Sequence, residues 1–284
     1  MKINRKQTAN PLNRITIHDE IETVYLTFPI LEQIQGITHG FSTRLGGVST
    51  GDVGTMNTSF GRESSRENVL ENHRRLAKAI GYQAKDLVFS KQTHTTNVMV
   101  VKEEDRGLGV TRDRDYDDID GLVTNVPGIV LTTFYADCVP LLMVDPVHCA
   151  IASSHSGWRG TVANIAKATL EVMGREYGTR PEDVAAAIGP SICQDCYEVS
   201  EDVIDQFRPA YPEALWPSLF YKKENQKYQL NLWEACRQNF LSAGLRPENI
   251  SLPDICTCCN PDFLYSHRAS HGKRGNLAAF LMLN

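Results

Sequence analysis

Three short stretches place chemically capable side chains beside the ends of apolar runs: Gln92-Thr93-His94, Ala136-Asp137-Cys138 and Ser154-His155-Ser156-Gly157-Trp158-Arg159-Gly160. Two imidazoles and one thiolate suit Zn²⁺, and three protein ligands leave a fourth coordination position for water or substrate. Copper competes for the same donors, because N/S sites generally prefer Cu²⁺ to Zn²⁺. The spacing alone does not establish the site. The three residues are far apart in the chain, and taken singly a histidine or an unpaired cysteine is more often structural. Cys138 and His155 can also be read as a nucleophile–base pair of the thiolate–imidazole type.

Anion-binding candidates accompany them. Arg44 precedes Gly46 and Gly47, a turn that offers backbone N–H groups to phosphate; a Gly-rich turn with a surface arginine is the plainer reading. Arg159 stands at an expected helix start, a position that suits anions. His267 and Arg268, in Tyr265-Ser266-His267-Arg268, are candidate substrate contacts. Asp137 is the acid nearest Cys138, although the two point to opposite faces if both lie in a strand. The acidic run Asp115 to Asp120 reads as a solvated loop. His18, His39, His73 and His148 read as ordinary structural residues. Cys193-x-x-Cys196 and Cys256-x-Cys258-Cys259 suggest a second, structural zinc, but irregular spacing and adjacent thiols favour reduced core or loop thiols.

These residues need elements to hold them. Strands are expected at Val24 to Phe28, Gly121 to Thr124, Ile129 to Phe134, Val139 to Val144, Cys149 to Ser153, Val184 to Ile188 and Asn276 to Leu283. Leu87 to Val101 reads as strand broken by KQTH, and His39 to Phe60 as irregular, turn-rich structure. Ser64 and Glu67 form a capping-box signature for a helix ending at Gly81. Further helices are expected from Arg159 to Tyr177 and from Asn231 to Ala243, and Tyr221 to Leu230 as a hairpin arm. Strands cluster and helices are scattered among them. The expected fold is therefore α+β: one domain over residues 15–284, a mixed β-sheet sandwich flanked by helices, after a polar, loosely held leader over residues 1–14.

The stretches KQTH, ADCVPLL, SHSGWRGT, AIGP and YSHRAS, in this order, resemble the laccase-domain family, whose members are also called multicopper polyphenol oxidases or purine nucleoside phosphorylases. The resemblance runs from about Gly36 to the C-terminus. It implies a metal held by His94, Cys138 and His155, which then also carry catalysis, and pocket roles for Arg44 and for Asn57 in MNTSF. The implied activity is phosphorolysis of adenosine, inosine, guanosine and methylthioadenosine, with deamination of adenosine. Some relatives are described as peptidoglycan-editing amidases, which keeps a cysteine- or metal-dependent hydrolase of cell-wall precursors as an alternative. A single-copper polyphenol oxidase is another. A multicopper laccase needs paired His-x-His motifs, and no two of the eight histidines have that spacing. The zinc deaminase signature, H-x-E with P-C-x-x-C, is also missing. A non-catalytic partner of cell-wall machinery fits poorly with so many polar groups at strand ends.

The bulk numbers set the outer bounds. The chain has 284 residues and a formal net charge of -5, which argues against a general nucleic-acid binder but permits a local basic pocket. The apolar stretch Gly128 to Val144 is interrupted by Asp137 and Pro140, so it reads as a pair of buried strands and not as a membrane span. The N-terminus has no apolar signal region, so the cytoplasm is the expected compartment and the eight cysteines are expected as reduced thiols. Purine nucleosides and phosphate are the expected partners of a monomer or small homo-oligomer, with no nucleic acid or membrane.

Overall fold

A computed structural model describes residues 2–6, 13–18 and 22–284. Two six-stranded sheets stack face to face. The first runs, edge to edge, through Arg14–His18, Thr23–Thr27, Ile37–Ser42, Leu277–Leu283, Val130–Tyr135 and Leu87–Phe89. The second runs through Ile250–Ser251, Ala185–Ile188, Val139–Asp145, Ala150–Ser156, Gly121–Thr124 and Val98–Val100. Most neighbours are antiparallel; Leu87–Phe89 beside Val130–Tyr135, Val98–Val100 beside Gly121–Thr124 and Ile250–Ser251 beside Ala185–Ile188 are parallel, so both sheets are mixed.

The period of two in the strands builds the layers. In Val139–Asp145, Leu142 and Val144 face the first sheet, meeting Phe41, Leu131 and Leu281 in the core between the sheets. Leu141 and Met143 face the other way, onto Ile165, Leu170 and Phe240 of two covering helices, Ile165–Tyr177 and Leu232–Ser242. On the first sheet, Val130, Ala278 and Phe280 point outward and pack under Leu76 and Ala77 of the helix Arg66–Ile80. The result is helix, sheet, sheet, helix: the expected α+β sandwich in a single domain.

Several details differ from expectation. The helix Arg66–Ile80 is capped by Ser65, whose Oγ accepts from Asn68 N at 3.2 Å, and not by Ser64. The expected helix from Arg159 to Tyr177 is two helices, Trp158–Val162 and Ile165–Tyr177. Asn164, at φ 57°, makes the break and caps the second helix by accepting from Lys167 N; asparagine tolerates this left-handed backbone better than most residues. His39 to Ser42 is strand, not irregular chain, because His39 and Phe41 pair with the buried C-terminal strand. Of the leader, Asn4 N donates to Asn260 Oδ1 and Lys6 N to Asp254 O, and Arg5 bridges to Ile255; residues 7–12 lie outside the described residues. No described helix is long and apolar enough to cross a membrane.

Candidate metal centre and cleft

The chain changes sheets twice near one end of the sandwich. It leaves the first sheet after Phe89 and enters the second at Val98; it leaves the first again after Tyr135 and enters the second at Val139. His94 lies on the first crossing and Cys138 on the second. His155 lies near the end of Ala150–Ser156, where its neighbour Ser156 pairs with Val139. Tight crossings need left-handed backbone, and both supply it at non-glycine residues: His94 has φ 67° and Asp137 φ 86°. Such conformations persist only where surrounding bonds hold them.

Asp120 holds the first. It is wholly buried at the head of Gly121–Thr124 and accepts from the backbone N–H groups of Thr93 (2.9 Å), His94 (3.1 Å) and Thr95 (3.0 Å). Its Oδ1 also accepts from His155 Nδ1 at 2.7 Å. One carboxylate therefore fixes the loop that presents His94 and orients the His155 ring with Nε2 turned away from it. Asp120 is thus not part of a solvated acidic loop; Asp117, which pairs with Lys91, is largely exposed. Asp137 is held in turn: Thr257 Oγ1 donates to Oδ1 at 2.6 Å, Arg268 N to Oδ2 at 2.7 Å, and Ile192 N to its carbonyl at 3.0 Å. Neither Asp137 nor Cys138 is in a strand, so the face argument does not apply to them.

The ligating atoms of His94, Cys138 and His155 lie within 4.8 Å of one another. Gly157 makes this approach feasible. A Cβ there would stand 3.3 Å from Cys138 Sγ and 3.0 Å from His94 Cε1, and closer still to His94 Nδ1. Burial and the neighbouring His155 lower the His94 pKa. Burial also pushes His155 down, but the Cys138 sulfur and the Asp120 carboxylate outweigh it and raise His155 to about 9. Burial pushes Asp120 up, yet its bond to His155 and the backbone N–H groups hold it below the usual range. A cation entering this group must displace the His155 proton. The donor set fits such an ion: two nitrogens and a sulfur converge, and a carboxylate–histidine bond fixes one ring as in metal sites generally.

The three side chains stand at the junction of two cavities. One, about 300 Å³, is lined by Phe60, Phe89, Phe134 and Arg114 among others. The other, about 410 Å³, is lined by Trp158, Arg159, Tyr197, His267 and Arg268 among others. His94, Cys138, Arg62 and Arg274 border both, whereas His155 faces only the first. The arginines give the acidic chain a local basic cleft. Arg274 is drawn down to about 10 by burial and by the charge of Arg62, and its Nε has no hydrogen-bond partner among the described residues.

The expected substrate contacts divide. Arg159, His267 and Arg268 border the second cavity, although the Arg268 guanidinium already donates to Cys196 O and Glu198 O. Arg44 and Asn57 border neither. Arg44 gives Nε and Nη2 to Gly54 O and Nη1 to Pro261 O, and lies over the Tyr265 ring. Asn57 is wholly buried and ties Ser59 N and Asn276 N to its Oδ1, joining the segments that carry Arg62 and Arg274. The sequence reading missed Asp120, Arg62 and Arg274. For Asp120 the available signal was its place at the head of Gly121–Thr124, a strand buried along its whole length.

Residues 38–284 match the family model for the multi-copper polyphenol oxidoreductase laccase. A Bacillus subtilis protein named purine nucleoside phosphorylase YlmD is 35% identical over 246 residues, 85% of this chain and 87% of the relative. A protein from an unknown prokaryotic organism, named adenosine deaminase RL5, is 37% identical over 201 residues, 70% of this chain and 76% of that one. The crystal structure of the Bacillus licheniformis hypothetical protein YfiH superposes with a TM-score of 0.86 at 32% identity, covering 92% of this chain and 96% of that one.

Proposed function

Because the chain belongs to the multi-copper polyphenol oxidoreductase laccase family, whose relatives include proteins named for purine nucleosides, we propose that it is a zinc-dependent purine nucleoside phosphorylase that also deaminates adenosine. The observation that supports this most is the junction itself: an N₂S ligand group and two arginines stand where two aromatic-walled cavities meet. Their sizes fall within the range of small-molecule sites. A nucleoside spanning the junction rests its purine on aromatic rings and leaves its ribose beside the cations. Adenosine, inosine, guanosine and methylthioadenosine share the parts so recognised.

In this reading His94, Cys138 and His155 hold the zinc, which supplies Lewis acidity, the property that draws the pKa of water down to about 7. Asp120 keeps His155 in the orienting tautomer. Arg62 and Arg274 bind and orient inorganic phosphate. In phosphorolysis a phosphate oxygen bonds to ribose C1′ as the C1′–N9 bond breaks, and the purine leaves with that electron pair and takes up a proton. In deamination water adds at purine C6 and ammonia leaves. A multicopper oxidase cluster is disfavoured, since no second histidine group joins this one among the described residues. The cytoplasm, with its reduced thiols, is the compartment we assign.

The test is inosine cleavage across a phosphate titration, beside adenosine deamination. One charge-assisted contact contributes roughly 1.5–3 kcal/mol, so Arg62→Ala raises the phosphate requirement at least about tenfold while deamination falls much less. Arg44→Ala leaves the phosphate requirement unchanged. Equal depression of both activities by Arg62→Ala would place that residue on the nucleoside and sink the phosphate assignment.

A second reading has its own observation. Cys138, His155 and Asp120 form a sulfur–imidazole–carboxylate line, the order of a cysteine hydrolase. It leaves His94 without a role. Turnover retained in fully zinc-depleted protein, with stoichiometric alkylation of Cys138 abolishing it, would favour this reading.

A further inference from the structure

We propose a second zinc site, formed by Cys193, Cys196, Cys256 and Cys259. Their sulfurs all lie within 4.8 Å of one another, and Cys193 and Cys256 are buried. In the fold the pattern is two C-x-x-C hooks, because Cys258 stands outside the group. The separations, 3.9 Å for Cys193 to Cys259 and 3.4 Å for Cys196 to Cys259, bracket the edge of a ZnS₄ tetrahedron, about 3.8 Å for Zn–S bonds of 2.3 Å. Backbone N–H groups of Cys193 and Cys259 both point at Cys256 Sγ, at 3.2 and 3.4 Å, which favours a thiolate there. Lys6 brings a cation to the hook through Asp195 Oδ2 at 2.8 Å. Four thiols lose their protons as Zn²⁺ binds, leaving a dianionic centre with all coordination positions filled by protein. Such a closed site is structural, unlike the open N₂S group.

Its task follows from what the hooks adjoin. Ser191 O accepts from Thr257 N at 3.1 Å, and Thr257 Oγ1 grips Asp137, next to Cys138. The carbonyls of Cys196 and Glu198 take the Arg268 guanidinium. The ion fastens two loops, far apart in sequence, into one wall of the second cavity.

The test is metal content by native mass spectrometry on protein made with zinc. Cys196→Ser and Cys259→Ser each lose one zinc equivalent, whatever the N₂S group holds, and Cys258→Ser loses none. His94→Ala with Cys138→Ala leaves this equivalent in place, so the two sites fail independently. Cobalt-loaded wild-type protein serves if the serine variants do not fold. A sulfur-to-cobalt charge-transfer band with tetrathiolate intensity, surviving in the His94→Ala, Cys138→Ala variant, supports the site. Unchanged zinc content in Cys196→Ser, absence of that band, or a mass deficit showing disulfides among these four cysteines overturns it.

Discussion

Gly157→Ala is the most pointed perturbation of the N₂S group, because it alters no ligand and no charge. Gly157 has φ -72° and ψ 173°, a backbone that alanine adopts without strain, so the change adds only a methyl group. That methyl would stand 3.0 Å from His94 Cε1 and nearer to Nδ1. Ordinary carbon contacts begin near 3.5 Å, so the ring must retreat by about 1 Å. Metal–ligand bonds tolerate only about 0.2 Å. The backbone cannot easily yield instead, since Asp120 holds the N–H groups on both sides of His94. The expected result is a zinc affinity at least about 100-fold weaker, roughly 2.7 kcal/mol, with loss of both proposed nucleoside activities. Alanine at this helix N-cap costs stability by no more than about 1 kcal/mol, so the far-UV spectrum and cooperative unfolding persist. Competition titration against a chromophoric chelator reads the affinity. A zinc Kd within threefold of wild type in Gly157→Ala would show that His94 does not approach the ion past Gly157, and the ligand assignment would fail.

Asp120→Asn keeps the shape but removes the charge that orients His155; zinc affinity should fall by about 10- to 100-fold, and the His155 pKa, followed by NMR in metal-free protein, should drop from its raised value. An unchanged His155 titration would mean Cys138 alone raises it. His39 and His73 are both lowered to about 4 by burial, against 6.5 when exposed. Between those pH values the unfolded chain binds more protons than the folded one, so stability is full above about 6.5 and is lost as pH falls towards 4, by up to about 1.4 kcal/mol per pH unit for each ring. Urea unfolding from pH 7 to 4.5 measures the slope. His73→Gln should flatten it by close to one proton, and an unaltered slope would refute the contribution.

How much was legible follows from how local each feature is. The strand after Cys138 and the strand that holds His155 are buried along their whole length; the apolar run from Leu141 to Val144 reads clearly for that reason, whereas Ala150–Ser156 turns polar after Ala152. KQTH was legible as a break, but not as a crossing between sheets, which depends on partners near Val130 and Gly121. The expected Arg159 helix hid its break because Asn164 does by left-handed backbone what glycine or proline announces more openly. Asp120 was lost in a run of acids whose other members face solvent. Arg62 and Arg274 are brought together by the bonds of Asn57 and Thr58 to Asn276, more than two hundred residues away. The thiol hooks were obscured by Cys258, which breaks the visual pattern while leaving the i, i+3 spacing of Cys256 and Cys259 intact.

The double crossing has a kinetic consequence. His94 follows the first sheet, His155 lies in a strand of the second, and Cys138 stands on the crossing between them, so an ion bound by all three can join the protein only after the two sheets have closed on each other. It therefore adds nothing to the folding transition state and appears almost wholly in the unfolding rate. On the proposed ligand set, free zinc at a hundred times its Kd would deepen the native well by about 2.7 kcal/mol, and the sandwich would then open about a hundredfold more slowly. With the proposed ligand set the ion would be a latch on the sheet interface, and zinc-loaded protein is expected to outlast metal-free protein under unfolding stress.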